Sequence, residues 1–516
     1  MSLPAPPPDA VPHGARKPIS WLDRTLSARW CALGWMMSVT TFLGLMRLLG
    51  GPATGDSPET IYATWAIAHG KFACAYPPPT TLHFYPLFRP QPPAPPLWPL
   101  LSGGFAALLR IGHRIPFPSG GALGPHCATA FDAIYRWAGE TRATLPTVGL
   151  GYLSWLVLMA GVIALLRSSG RGRCGWEPAT LVLLACLPPL WMPLLNLFHP
   201  QDLMAVGLAL GGLACARRGW WAWAGGLLGL AFTSQQFAVL VAAPLLVMAP
   251  WNRRLRFAGS AIAAAALVTV PMIAVTSGRA LRATVLGSGN TLSFGGTVLW
   301  ELHLHGTPLV AVSRLLPIAL SVALAWWAVR RLGATVREPV PLVSVIAISL
   351  SLRLVFEQNL FGYYFMALVV SLVVLDVIGG QIRGPLVAWL VLVFLAFILV
   401  PIGLAPNAEP WGLQADGALR LAAVAAAVLF IVLSVARARF RPSLLAWSVL
   451  VVVAFSRWPP WMDLPLRHQL PLWFWQVVLV ATGAALAAGP LVSSVRVHGR
   501  VKPSLTDVDE DVALSV

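Results

Sequence analysis

The chain has 516 residues, of which 57% are hydrophobic and only 11% charged, with a mean hydropathy of +0.73. A soluble domain carries about 25% charged residues, so the composition excludes an ordinary soluble fold and points to a polytopic membrane protein. The net charge of +17 does not argue for nucleic acid, because most of the basic residues fall in short loops on one side of a single topology, as the positive-inside rule requires.

Residues 1–29 read as a basic, Pro-rich cytoplasmic tail (Arg16, Lys17, Arg24, Arg29) without the apolar core of a cleavable signal peptide. A first span occupies 30–50, a large external loop 51–146, a transmembrane helix bundle 147–492 and a cytoplasmic tail 493–516, which ends acidic at Asp507, Asp509, Glu510 and Asp511. Within the bundle, apolar runs centre on 147–167, 179–196, 203–216, 220–234, 236–250, 257–276, 307–329, 340–355, 361–379, 385–405, 418–436, 443–456 and 471–492. The expected fold is therefore all-α, with about fourteen transmembrane helices and both termini cytoplasmic. Arginines mark every second loop: Arg167/Arg171/Arg173, Arg217/Arg218, Arg253/Arg254/Arg256, Arg330/Arg331/Arg337, Arg383, Arg437/Arg439/Arg441 and Arg496/Arg500.

The large loop opens with Gly55-Asp56-Ser57-Pro58-Glu59, a good helix entry. Residues 58–69 predict a helix lying on the membrane, with Tyr62 and Trp65 at headgroup depth. A proline-rich stretch between Tyr76 and Pro99 predicts extended, semi-rigid chain. The apolar run from Leu97 to Ile111 is short and holds a Gly-Gly pair, so it reads as an interfacial or re-entrant helix and not as a span. Thr233-Ser234-Gln235-Gln236 forms a polar hinge between two short spans.

Polar residues at a membrane rim are costly and therefore informative. In this topology they gather on the external side: Asp56 and Glu59; His199, Gln201 and Asp202; Gln235 and Gln236; Glu301, His303 and His305; Arg353, Glu357, Gln358, Asn359, Tyr363 and Tyr364; and Asp463, Arg467 and His468. Each has a structural alternative. Asp56 could be the cap of its helix, and Glu59 a first-turn residue complementing the helix dipole. His199 and Asp202 could cap the fourth span and bond each other. Arg353 and Glu357, one turn apart, could simply pair. The alternation Glu301-Leu302-His303-Leu304-His305 puts three polar groups on one side if the segment is extended, either as a metal site or as a solvated loop. Tyr363 and Tyr364 read as interface belt.

An Asp soon after the first span, an amphipathic Tyr/Ala/Trp helix ending in His69-Gly70, the Pro-Pro-Leu97-Trp98-Pro99 run, and His199-Pro200-Gln201-Asp202 between two spans together resemble the GT-C integral-membrane glycosyltransferases. The segment from Arg353 through Glu357 and Asn359 to Tyr363 is similar to the lipid-phosphate end of bacterial, mannosyltransferase-like members. Two departures stand out: no second acid adjoins Asp56, and Gln235/Gln236 stand where a Lys or Arg is common.

The resemblance implies an enzyme of the cytoplasmic (inner) membrane with an extracytoplasmic active face. Its donor would be a sugar (mannose, or another pyranose or furanose) on polyprenyl phosphate, and its acceptor an envelope glycan or glycolipid. Asp56, Asp202 and His199 would be catalytic, and Glu59, Gln201, Gln235, Gln236, Arg353, Glu357, Asn359 and Tyr363 would bind substrate. A divalent cation, Mg²⁺ or Mn²⁺, would fall to Asp56 and Asp202 if one is used. The partners would be that donor, that acceptor and the lipid bilayer, with no nucleic acid. Two other classes stay open: a multi-span transporter or lipid flippase, and a catalytically silent assembly protein of the same fold.

Of the six cysteines, only Cys74 and Cys127 fall in the external loop. Thiols on an oxidising side tend to pair, so a Cys74–Cys127 disulfide is expected, the alternative being two buried thiols.

Overall fold

The computed structural model of the chain describes residues 57–76, 95–109, 145–171, 199–281, 298–304, 306–357, 366–379 and 472–501, with 177, 180, 181, 184, 190 and 364 as single positions. These residues are helical, with no β-strand among them. In chain order the helices are α1 (Ser57–Ala68), α2 (Leu97–Leu108), α3 (Leu145–Ser168), α4 (Pro200–Arg217), α5 (Trp221–Ser234), α6 (Val239–Met248), α7 (Trp251–Val275), the single turn α8 (Val298–Glu301), α9 (Gly306–Leu332), α10 (Pro339–Val355), α11 (Met366–Ile378) and α12 (Leu472–Val501).

Among the described residues, three segments are long and apolar enough to cross a membrane: Leu150–Ser168, Trp251–Val275 and Pro308–Arg337. An α-helix needs about 20 residues to cross the hydrocarbon core. The 10 residues of α6 and 13 of α11 fall short of that, which suits helices walled by protein and not by lipid. Every residue of α11 is buried, as expected of a helix apolar on all sides. The segment expected to lie outside the span count, Leu97 to Ile111, is the 12-residue α2, too short to cross.

Two helix crossings depend on glycine. A Cβ at Gly161 of α3 would overlap the carbonyl of Gly207 on α4, and one at Gly229 of α5 would overlap that of Ala261 on α7. Small residues let backbones approach this closely where lipid supplies no hydrophobic drive between helices.

The helix ends sort into two layers. At one end, arginines bond the last carbonyls of helices, satisfying groups that have no intrahelical donor. Arg171 Nε donates to Ile378 O (3.2 Å), Arg217 Nη1 to Arg337 O (2.8 Å), Arg337 Nε to Met248 O (3.1 Å) and Arg254 Nη2 to Val247 O (2.7 Å). Arg167 makes a bidentate pair with Glu177 (2.7 and 3.0 Å). This arginine end joins termini of α3, α4, α6, α7, α10 and α11, the grouping that the alternation of arginines predicts.

The opposite end carries the described part of the segment expected to form the large loop. A second apolar cluster joins Tyr62 and Trp65 of α1, Tyr76 and Trp98 to Leu150 of α3, Met204 of α4 and Met272 of α7. Tyr62 and Trp65 are 0% and 2% exposed. Where the sequence suggested a face toward the lipid headgroups, α2 and three bundle helices cover the aromatic face of α1. Burial pushes both the Tyr62 and Tyr76 phenols well above their ordinary range, so they stay protonated at neutral pH. Gly70, at φ +72°, lets Lys71 N–H return to Ala66 O (2.7 Å) and so ends α1. Thr64 and Ser102 hydroxyls meet at 2.7 Å between α1 and α2, and Arg279, just past α7, donates to the carbonyls of Tyr76 and Ala73. The loop is thus fastened to the bundle by apolar burial and by one arginine clamp.

Candidate functional site

Under that loop, three helix termini converge: the start of α4, the end of α5 and the end of α10. The chain enters α4 through His199, at non-helical φ −112°, with Pro200 at the first helical position and Asp202 in the first turn. Proline there is preorganised and gives up an N–H that has no partner anyway. His199 makes no side-chain cap hydrogen bond, so the capping alternative for it is overturned. The Asp202 carboxylate turns away from its own helix as well.

The α5–α6 hinge supplies the partner. α5 stops at Ser234, Gln235 is extended (φ −157°, ψ 136°), and a 3-10 turn over Gln236–Ala238 leads into α6. Gln235 Nε2 donates to Asp202 Oδ1 at 2.6 Å, while its Oε1 accepts from Gln236 N–H at 3.1 Å. One amide thereby closes the hinge and orients the carboxylate. Ser234 Oγ donates to Gln201 O at 2.9 Å and pins the two termini together.

Asp202 and Gln201 are each 4% exposed. The amide nitrogen of Gln201 lies 3.0 Å from His199 Nδ1, and His199 Nδ1 lies 3.7 Å from Asp202 Oδ2. Asp202 Oδ2 and Gln201 Oε1 are buried and make no hydrogen bond among the described residues. Leaving such oxygens unbonded costs about 1–3 kcal/mol each, more when the group is charged. Consecutive residues of the first turn of α4 thus each carry a vacant acceptor.

Arg353 closes the third side. Its Nε donates to Glu357 Oε2 at 2.8 Å, with both side chains nearly buried (14% and 11% exposed). The guanidinium lies over the rings of Phe237 (4.9 Å) and Tyr364 (5.2 Å), and its charge and that of Glu357 reach Asp202. Among the described residues no hydrogen bond engages its Nη groups, so the pair with Glu357 uses only one edge of the guanidinium. Tyr364 thus packs its ring on the guanidinium beside this carboxylate.

The structure thus brings together His199, Gln201, Asp202, Gln235, Arg353 and Glu357 of the expected site, with the buried Gln236 beside them. Asp56, Gln358, Asn359, Tyr363, His305, Asp463, Arg467 and His468 lie outside the described residues, and Glu59 is described in its backbone alone. The Glu301–His305 segment is no strand: Glu301 ends the short α8, and His303 is exposed at φ +53°. Sequence reasoning missed Ser234 and Phe237, whose roles depend on which helix ends meet. It also missed Arg279, whose bonds to the loop carbonyls of Tyr76 and Ala73 no local pattern announces.

For a divalent cation, Asp202 brings a single carboxylate, and Arg353 already stands in its field. Among the described residues no three His, Cys, Asp or Glu side chains gather into a metal-binding group. The other carboxylate expected to hold such a cation, Asp56, lies outside the described residues.

Neither a protein-family model nor a curated protein matches this chain.

Proposed function

We propose that this chain is a polytopic membrane glycosyltransferase of GT-C type, with about fourteen spans and its arginine end toward the cytoplasm. It moves a sugar from a polyprenyl-phosphate donor to an extracytoplasmic glycan or glycolipid acceptor. The observation that carries this reading is the vacant, buried Asp202 Oδ2 facing the field of Arg353 beneath the loop helices.

The chemistry is balanced with these groups. An acceptor hydroxyl attacks the anomeric carbon and gives its proton to Asp202 Oδ2, forming the new glycosidic C–O bond. The bond from that carbon to the phosphate oxygen breaks, and the lipid phosphate leaves with the electron pair. Arg353 Nη groups then hydrogen-bond the phosphate oxygens, a charge-assisted contact suited to a leaving anion. Gln201 Oε1 accepts from a sugar hydroxyl. Asp56 remains the proposed second carboxylate from the loop side.

The test is loss and rescue. The gene is deleted, envelope glycans and glycolipids are profiled, and the strain is complemented with wild type, Asp202→Asn or Asp56→Ala. A missing glycan restored by wild type and by neither variant supports the reading. An unchanged profile on deletion contradicts it.

A further inference from the structure

The arginine end holds a second constellation that glycosyl transfer does not use. Most of its described arginines that reach back over the bundle are spent: Arg167, Arg171, Arg217, Arg254 and Arg337 bond carbonyls or carboxylates. Arg253 and Arg256 differ. Both side chains are exposed, and among the described residues neither makes a hydrogen bond or ion pair. Three positions apart on α7, they share one helix face.

They rim a cleft of about 310 Å³ whose other walls are Trp220, Trp221 and Trp223. The floor is fixed, because Trp221 is 6% exposed and packs edge-on against Phe257 of α7 (6.3 Å, 70°). The walls stand open, with Trp220 and Trp223 52% and 71% exposed. Gly219 (φ +78°) turns the chain so that Trp220 N–H returns to Cys215 O at 2.9 Å, which sets Trp220 at the mouth. No acidic side chain lines the cleft.

Beyond it, α7 continues with an apolar face that has little cover among the described residues. Leu255, Ile262 and Leu267 are 87%, 69% and 77% exposed, and only 11% of its apolar window is buried. A cationic, aromatic cleft that runs into a bare apolar stripe matches an amphiphile with an anionic head and alkyl tails. Exposed tryptophans belong at headgroup depth, and guanidinium is the side chain that best forks onto phosphate. A free phosphate would leave the stripe bare.

We propose that this cleft is a binding site for the phosphodiester headgroup of an anionic glycerophospholipid, with Arg253 and Arg256 on the phosphate and the acyl chains along α7. The net positive charge of the lining favours an anionic lipid over a zwitterionic one, whose own ammonium would be repelled. The site lies at the opposite end of the bundle from Asp202, so it is separate from the donor site. It rests on the reading that α7 lies in the bilayer.

The test uses the full chain in nanodiscs of equal phosphatidylglycerol and phosphatidylcholine, with retained lipid identified by native mass spectrometry after release. Wild type retains phosphatidylglycerol selectively. Arg253→Gln/Arg256→Gln lowers that selectivity about thirtyfold, since each basic residue near an anionic surface contributes about fivefold. Trp223→Ala weakens retention without changing charge, and the charge-matched Arg330→Gln/Arg331→Gln leaves it intact. Equal loss in both double variants overturns the proposal, as does displacement of the lipid by millimolar inorganic phosphate. A spin label at Ile262→Cys reads the bilayer separately. Water exposure there defeats the membrane placement together with the site, whereas lipid exposure with unchanged selectivity in Arg253→Gln/Arg256→Gln defeats the site alone.

Discussion

Gln235 and Asp202 meet at 2.6 Å across the ends of two helices, and the same amide accepts from Gln236 N–H. The hinge between α5 and α6 is therefore the support of the carboxylate. Gln235→Leu leaves Asp202 without its donor, at a cost of about 1.5–3 kcal/mol for a hydrogen bond to a charged group. The expected outcome is a lower thermal midpoint in detergent and a fall in turnover, with donor KM little changed. Unaltered turnover would mean that Asp202 needs no orientation.

Arg353 and Glu357 separate two roles. Removing Arg353 leaves Glu357 buried without its cation, which for a buried pair costs about 3–5 kcal/mol. Restoring neutrality with Glu357→Ala recovers stability in the double variant. If the Nη groups hold the lipid phosphate, donor KM stays high in Arg353→Ala/Glu357→Ala even though the protein is stable again. Recovery of donor binding together with stability would make the pair structural alone.

Two glycines one helical turn apart offer a packing test. A Cβ at Gly226 meets nothing within 4 Å, whereas one at Gly229 runs into the Ala261 backbone. Gly226→Ala should be neutral or stabilising, by up to about 1 kcal/mol from helix propensity. Gly229→Ala should destabilise by about 1–3 kcal/mol, because a backbone atom cannot rotate aside. Equal thermal midpoints for the two variants would refute the α5–α7 crossing.

Cys74 is disulfide-bonded, and its partner lies outside the described residues; Cys215 is free. The shared compartment makes Cys127 the expected partner. Non-reducing peptide mapping should recover a Cys74–Cys127 cross-link, and reduction should loosen the segment that Arg279 holds, seen as faster amide exchange over residues 71–76. A cross-link to Cys31, Cys174 or Cys186 would contradict the pairing.

The all-α character and the gathering of arginines at one end of the described helices were legible because apolar runs and arginine clusters are local signals, each readable in a window of about 20 residues. The hinge at Gln235 was legible for the same reason. What the sequence could not convey was convergence. Asp202 and Gln235 are 33 positions apart, and neither signals that one bonds the other. The capping alternative for His199 looked plausible because cap chemistry is local; the structure replaces it with bonds between helices. The cover over Tyr62 and Trp65 was illegible for a related reason: an amphipathic face records that something apolar covers it, not whether that cover is lipid or α2. The alternation from Glu301 left a metal site and a solvated loop open, and the exposed His303, at φ +53°, follows the loop alternative.

Transfer measured directly in proteoliposomes is the sharpest test of the central claim. Purified chain is supplied with radiolabelled polyprenyl-phosphate mannose and an envelope glycolipid fraction, and product is separated from donor. The account predicts label transfer by wild type and a loss of at least about 10²-fold in Asp202→Asn, in a variant that inserts and melts like wild type. Transfer at the wild-type rate by Asp202→Asn would contradict it.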